Sequence, residues 1–349
     1  MKILINVPHL KLMGGVANHY SGLSDYWNEE VYYNQVGRRC EKKGTGKYWF
    51  PLDLVVYIVK ILYIHPDIII LNPSLGKSAI ERDIVFLKIA KIFKKKVAVY
   101  FHGFNFDAIS DINICSLSKN LNKCECIFVL AYTFADTIRL WGVTTPIHVV
   151  TTKVEDKLVK DFNENEKSGE INNILFLARI EKEKGVYIAL DAFSDIVKKH
   201  PYLRLQVAGN GSELEQAKLY VENLKIPNVH FWGNVSGKKL IDVFVNSDLY
   251  LFPTYHAEGM PTSVLEAMAF GLPIITRPVG GVCDFFENGV MGTLVESFDS
   301  AKFSATMEKY IQNPIVVKEI SKYNHNYAKT HFLASTVARY LEQIMKMYI

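Results

Sequence analysis

Short apolar runs bounded by Gly, Pro or Asn alternate along the chain with longer segments in which apolar residues recur every three or four positions. In the first half the short runs predict strands at 2–7, 31–36, 67–71, 97–101, 126–130 and 147–150. Helices are predicted between them near 16–26, 52–64, 78–93, 109–121 and 133–140. The run Ile68-Ile69-Ile70-Leu71 has no polar alternation, as expected of a strand buried on both faces of a parallel sheet. A polar stretch, 155–173, lacks a core-forming pattern and reads as a linker. The alternation then restarts, with strands predicted at 174–178, 204–208, 229–232, 249–252, 274–276 and 293–295. Helices are predicted at 186–199, 212–223, 237–245 and 262–270, followed by a helical tail from Ala301 that breaks at Asn313-Pro314. Strands alternating with helices imply βαβ units, so each half reads as a Rossmann-like α/β/α sandwich: 1–165, then 166–331. A terminal helix, about 332–349, is able to pack back on the first half.

Composition narrows this only a little. A chain of 349 residues with 49% hydrophobic and 22% charged residues is ordinary for a globular protein and excludes disorder or a fibre. Five cysteines without a Cys-x-x-Cys pair argue against a disulfide scaffold or zinc ribbon. Cys124 and Cys126, inside an apolar run, read as core thiols of a reducing compartment. The chain enters a strand-like run at once, with no cleavage-site pattern. Its longest apolar stretch, 52–71, is broken by Lys60, His65, Pro66 and Asp67. The expectation is a soluble, cytoplasmic protein. The net charge of +4 is unevenly placed: residues 1–165 carry 21 Lys+Arg against 16 Asp+Glu, and residues 166–349 carry 19 against 20. A basic first half suits an anionic partner, a phosphorylated molecule or an acidic membrane surface, and equally a solvated face.

Two open α/β sheets place ligands at the carboxyl ends of their strands, so the residues there matter most. After the first strand, Gly14-Gly15 opens a helix and admits either a phosphate on backbone N–H groups or a plain turn. His102-Gly103 follows the fourth strand; His102 suits a donor to a sugar hydroxyl or phosphate, or a satisfied core histidine. Arg179 and Lys184 share one strand-to-helix loop, where a planar fork and a point charge can converge on a diphosphate, or lie on a charged surface loop. The segment Glu258-Gly259-Met260-Pro261-Thr262-Ser263-Val264-Leu265-Glu266 follows another strand. Gly259 permits close backbone approach, and Thr262 to Val264 offer N–H groups to an anion at a helix start. For Glu266 a capping box, Ser263-x-x-Glu266, competes with a ligand role.

Taken in order, these residues resemble the retaining glycosyltransferases of family 4, which have the GT-B fold, two Rossmann-like α/β/α domains facing a central cleft. Glu258 to Glu266 is similar to that family's Glu-x7-Glu signature, and Ala267 to Ile275 to the helix, turn and strand that follow it. Arg179 and Lys184, the Gly209-Asn210-Gly211 turn, Gly14-Gly15 and His102 match further motifs. The resemblance implies a nucleotide diphosphate sugar, UDP- or GDP-linked, as co-substrate, with no separate cofactor. Arg179 and Lys184 would meet its diphosphate, Glu258, Gly259, Met260 and His102 its sugar, and Glu266 its ribose. It also implies retention of anomeric configuration. The chain contains no Asp-x-Asp, so a metal bridging the diphosphate is not expected.

On the acceptor side, the run from Arg38 to Phe50 is basic and ends in Tyr48-Trp49-Phe50. It suits an anionic bilayer or a lipid-diphosphate acceptor at the inner face of the cell membrane, or a solvated loop followed by core aromatics. Asn72-Pro73-Ser74-Leu75 resembles an acceptor-side loop of bacterial surface-polysaccharide transferases and equally reads as a turn. The expected activity is hexosyl transfer to a glycan or lipid-linked acceptor in capsule or lipopolysaccharide synthesis. Two alternatives are a sugar-nucleotide epimerase on the same fold and a non-catalytic subunit of an assembly complex.

Overall fold

The computed structural model describes residues 1–11, 14–37, 46–104 and 107–349. The chain divides into two units: Met1–Lys153 with Ala257–Met260 and Ala334–Ile349, and Val154–His256 with Pro261–Leu333. In the first unit the elements run β1 (Lys2–Val7), α1 (Gly15–Leu23), β2 (Glu30–Gln35), α2 (Gly46–Ile64), β3 (Ile68–Leu71), α3 (Lys77–Ile92), β4 (Lys96–Phe101), α4 (Ile114–Leu121), β5 (Cys126–Val129), α5 (Tyr132–Leu140) and β6 (Ile147–Val149). The second unit continues with α6 (Asp156–Val159), β7 (Asn173–Leu177), α7 (Val186–Val197), β8 (Arg204–Ala208), α8 (Leu214–Asn223), β9 (Val229–Gly233), α9 (Lys238–Val245), β10 (Leu249–Phe252), α10 (Thr262–Ala269), β11 (Ile274–Thr276), β12 (Gly292–Leu294), α11 (Ser300–Ile311) and α12 (Pro314–His331). A last helix, α13 (Ala334–Lys346), belongs to the first unit.

Both sheets have six parallel strands. The first has the order β2-β1-β3-β4-β5-β6 and the second β12-β11-β10-β7-β8-β9. Counted from its own first strand, the second sheet reads 3-2-1-4-5-6, the order of dinucleotide-binding domains. Its strand sequence reverses direction between β7 and β10, and such switch points leave a crevice beyond the strands' carboxyl ends. The first sheet reverses between β1 and β3. Strands β3 and β10 are buried at every position, which is why neither shows polar alternation.

The twelve predicted strands are all present, shifted by a residue at most. Three local readings need correction. The segment 155–173 is not a bare linker: it forms α6 and buries Leu158, Val159 and Ile171. Its apolar residues are too few and too widely spaced to give a periodic signal. Helix α2 begins at Gly46 and runs on through Pro51, ahead of the predicted 52–64. The division between units falls after Lys153, earlier than 165. The Val154 N–H donates to the Phe332 carbonyl at 2.7 Å and Val154 pairs with Leu333, so the chain enters and leaves the second unit side by side.

Candidate functional site

In the second unit the loop after β7 carries Arg179 and Lys184. The Ile180 N–H donates to the Asn210 carbonyl at 3.0 Å, and the Ile180 carbonyl accepts the Glu213 N–H at 3.0 Å. Any Cβ on Gly209 or Gly211 would overlap the carbonyl oxygens of Ala178 and Ile180. The glycine turn is therefore a clamp on the Arg179 loop, explained by packing within the chain. Arg179 itself is exposed and pairs with Glu181 at 2.8 Å. Lys184 is buried in a tight turn that ends on Gly185, whose φ of 83° and contact with the Pro253 backbone both demand glycine. Arg179 and Lys184 thus differ: one is exposed and ion-paired with Glu181, the other is buried in the turn.

The loop after β10 is tied to this turn by Glu183. Its carbonyl accepts the N–H groups of Tyr255 and His256 at 2.9 and 3.1 Å, and its carboxylate lies 2.9 Å from His256 Nδ1. Sequence reasoning missed Glu183 and His256 as a pair because 73 positions separate them. The switch point therefore gathers the Arg179–Lys184 loop and the start of α10 at the ends of neighbouring strands.

Helix α10 overturns the capping-box reading. Its N-cap is Pro261, no side chain caps it, and Ser263 lies inside the helix. The Ser263 hydroxyl is 2.7 Å from the Tyr250 phenol, which is also 2.8 Å from the Leu177 carbonyl. A carbonyl only accepts and a phenol has one proton, so Tyr250 donates to Leu177 and Ser263 donates to Tyr250. The Val264 N–H, expected to serve an anion, is already taken by the Pro261 carbonyl at 3.0 Å. Only the Thr262 and Ser263 N–H groups are left without an intrahelical acceptor. Thr262, Ser263 and Glu266 share the half-buried face of α10, while Val264, Leu265 and Ala267 to Ala269 are buried.

In the first unit His102 follows β4 and sits in a buried polar network. Asn72 Nδ2 donates to the Asn6 carbonyl at 2.8 Å, which fixes the amide orientation. Its Oδ1 then accepts from the Tyr20 hydroxyl and from His102 Nε2, both at 2.9 Å. The His102 ring stacks on Tyr100, with centroids 3.9 Å apart. Burial pushes the His102 imidazole down to about 3, so it is neutral. With the proton on Nε2 and Asn72 holding it, Nδ1 is an acceptor: His102 can take a hydrogen bond from a sugar hydroxyl, and the expectation that it donates to a phosphate is withdrawn. Asn72, read as part of a turn or an acceptor loop, is the residue that sets this tautomer.

Glu258, Gly259 and Met260 group with the first unit, where Met260 packs on the core. A Cβ on Gly259 would stand 2.6 Å from the His102 carbonyl oxygen, so only glycine fits beside it. Glu258 is half-buried. Gly14 and Gly15 open α1, the Gly14 carbonyl accepting the Asn18 N–H at 2.9 Å. A Cβ on either would meet no atom of the described residues within 4 Å, and neither has a positive φ that demands glycine. Packing among the described residues does not account for that pair. Of the basic segment, residues 38–45 lie outside the described residues. Tyr48 and Trp49 are exposed rather than core, and Phe50 packs edge-on against Phe86.

Comparison with known proteins agrees with this layout. Residues 159–329 match the family described as Glycosyl transferases group 1. The capsular polysaccharide biosynthesis glycosyltransferase CapM of Staphylococcus aureus is 26% identical over 236 residues, 67% of this chain and 58% of the relative. Spore coat protein SA of Bacillus subtilis is 27% identical over 183 residues, 50% of this chain and 48% of that protein. The chain spans about half the length of the curated relatives it matches. Among solved structures, Anabaena Alr3699/HepE in complex with UDP superposes with a TM-score of 0.75 at 15% identity, covering 99% of this chain and 100% of that one. A glycosyltransferase from Rickettsia africae gives 0.76 at 16%, covering 99% and 98%. At such identities the likeness is one of fold. The match covers most of the second unit, and the two six-stranded α/β units of the chain have the GT-B fold.

Proposed function

We propose that the protein is a retaining glycosyltransferase that moves a hexose from a nucleotide diphosphate sugar to a glycan or lipid-diphosphate-linked acceptor in surface polysaccharide synthesis. The observation that carries this is the switch point of the second sheet, where Arg179, Lys184 and the start of α10 meet. The group 1 match and the UDP-bound fold relative support it. Arg179, Lys184 and the Thr262 and Ser263 N–H groups stabilise charge on the departing diphosphate. Glu266, on the same face of α10, is assigned to the ribose hydroxyls. Glu258 and Gly259, which lie with His102 in the first unit, orient the donor sugar, and His102 Nδ1 accepts one of its hydroxyls. Gly14 and Gly15 let backbone approach an anion.

In the transfer, the acceptor oxygen forms a bond to the sugar's anomeric carbon as the bond from that carbon to the phosphate oxygen breaks. The acceptor proton passes to the departing phosphate oxygen on the same face, which preserves configuration without an enzyme nucleophile. The absence of an Asp-x-Asp supports a metal-independent reaction, and activity surviving a chelator is the expected result. An epimerase would release free nucleotide with no acceptor, and a product analysis separates the two. Glu258→Ala should abolish transfer without changing the melting temperature; normal turnover would overturn its assignment. Arg179→Ala should weaken nucleotide diphosphate binding by calorimetry about tenfold or more, and unchanged binding would remove Arg179 from the site. A thermal-shift screen of UDP-, GDP- and ADP-sugars identifies the donor, since a bound ligand raises the melting temperature by mass action.

A further inference from the structure

One face of the second sheet departs from the rule for parallel strands, which are apolar on both sides where helices cover them. Arg204 pairs in register with Asn173 and Gln206 with His230, and Trp232 follows on the same side of β9. On the other side Ile174, Leu205 and Val207 are buried. Helix α9 lies over the polar face, and a hollow of about 310 Å³ remains between them. Asn173, Arg204, Gln206 and Trp232 line it from the sheet, Asp242 and Asn246 from the helix. Its polar groups are held in place. The Trp232 Nε1–H donates to Gln206 Oε1 at 2.8 Å, which turns the amide so that Nε2 remains as a donor. Asn246 Nδ2 donates to the Asp242 carbonyl at 2.7 Å, which leaves its Oδ1 as an acceptor. The His230 ring meets the indole edge-on at 4.6 Å, and Lys239 Nζ stands 5.3 Å from its centre. Arg204 and Asp242 share the hollow, yet they form no ion pair among the described residues.

We propose that this hollow binds one pyranose ring of a glycan, a choice of ligand that rests on the transferase reading above. Two donors, Arg204 and Gln206 Nε2, and two acceptors, the Asp242 carboxylate and Asn246 Oδ1, suit hydroxyl groups, which donate and accept at once. One hydroxyl between Arg204 and Asp242 would satisfy both, and the C–H face of the ring has the Trp232 indole to lie on. The lining charges balance, so an ion gains little there: a phosphate would face Asp242, and a cation would face Arg204. The volume stands at the lower end of small-molecule pockets, roughly 300–1,000 Å³, which suits a single ring. The hollow lies apart from the diphosphate site. Asn173 and Arg204 open β7 and β8, while Arg179 lies beyond the far end of β7, about 16 Å of strand away. A glycan would thus be held at a unit other than the reacting one, and a second attachment on one chain raises the effective concentration of its reacting end.

The test is NMR of the indole N–H signals of the isotope-labelled full chain, with Trp232→Phe to identify the signal of Trp232. Methyl α-glucopyranoside, methyl α-mannopyranoside, methyl β-galactopyranoside and N-acetylglucosamine are each titrated in the millimolar range. At least one is expected to move the Trp232 signal saturably. Asp242→Ala should then weaken that sugar about tenfold, as loss of a charged hydrogen bond does. Asp242 is exposed, so unchanged folding is expected, and Arg204→Ala, also exposed, repeats the test from the opposite wall. UDP and GDP in excess should leave the movement in place. The proposal is overturned if no sugar moves the signal saturably, or if both variants bind as wild type does. It is equally overturned if inorganic phosphate reproduces the movement, which would make the hollow an anion site, or if nucleotide abolishes it. Nucleotide binding in the same samples reads the donor site separately: a chain that binds neither UDP nor GDP but keeps the Trp232 response retains this site and loses the transferase reading.

Discussion

Asn72→Ala removes three hydrogen bonds at one position. Its side chain accepts from the Tyr20 hydroxyl and from His102 Nε2, each at 2.9 Å, and donates to the Asn6 carbonyl at 2.8 Å. Asn72 is 8% exposed and Tyr20 and Asn6 are at most 3%, so bulk water does not take over these bonds. Each buried polar group left without a partner costs about 1–3 kcal/mol. A water molecule refilling the space would satisfy some of them, so the low end applies and the loss should be about 3 kcal/mol. Urea unfolding followed by fluorescence reads it, and with two units the loss belongs to the first unit's transition alone. Asn72→Asp probes the tautomer separately. A carboxylate beside Nε2 favours the imidazolium, so the His102 titration followed by NMR should move up from about 3. A loss under about 1 kcal/mol in the alanine variant, or an unmoved titration in the aspartate variant, would refute the network as the device that fixes the His102 tautomer.

Acid should destabilise the first unit well above the range where carboxylates titrate. Burial keeps His102 neutral in the folded chain down to about 3, while an unfolded histidine takes a proton near 6.5; between them the unfolded state binds more protons, and stability falls as pH drops, by about 1.4 kcal/mol per unit. Burial, then His102 and Lys153, push His19 down in the same direction, so the measured slope between pH 6 and 5 should exceed that of one site, and a flat profile would contradict it. Gly185→Ala forces a Cβ into a left-handed turn and onto the Pro253 backbone, for an expected loss of about 2 kcal/mol or more by urea unfolding and a weakened hold on Lys184.

The strands were legible because each is an apolar run closed by turn residues, and in a parallel sheet covered on both faces nothing dilutes that signal. Arg179 and Lys184 were legible for a related reason: a charged loop between a buried strand and a helix has few places to go but the strand's end. Asn72 was not, since Asn6, Tyr20, Asn72 and His102 meet only through the strand order β1-β3-β4, which pattern does not specify. Ser263 misled because Ser-x-x-Glu occurs two positions too late, inside a helix that Pro261 already opens.

Helix α13 closes the first unit's core with Ala334, Val337, Ala338, Leu341, Ile344 and Met345. Its buried Glu342 accepts the N–H groups of Asn28 and Glu29 at 2.7 and 2.9 Å. During synthesis, counted from Lys153 at the end of the unit's first segment, those two N–H groups and the matching apolar surface still wait for Glu342, some 190 residues later. At 5–20 residues per second that interval is roughly 10 to 40 s. The ribosome thus completes the second unit's sheet while the first is still open on one side. The half of the molecule begun first is finished last, and a chain cut before Ala334 would carry its defect at the opposite end of its sequence.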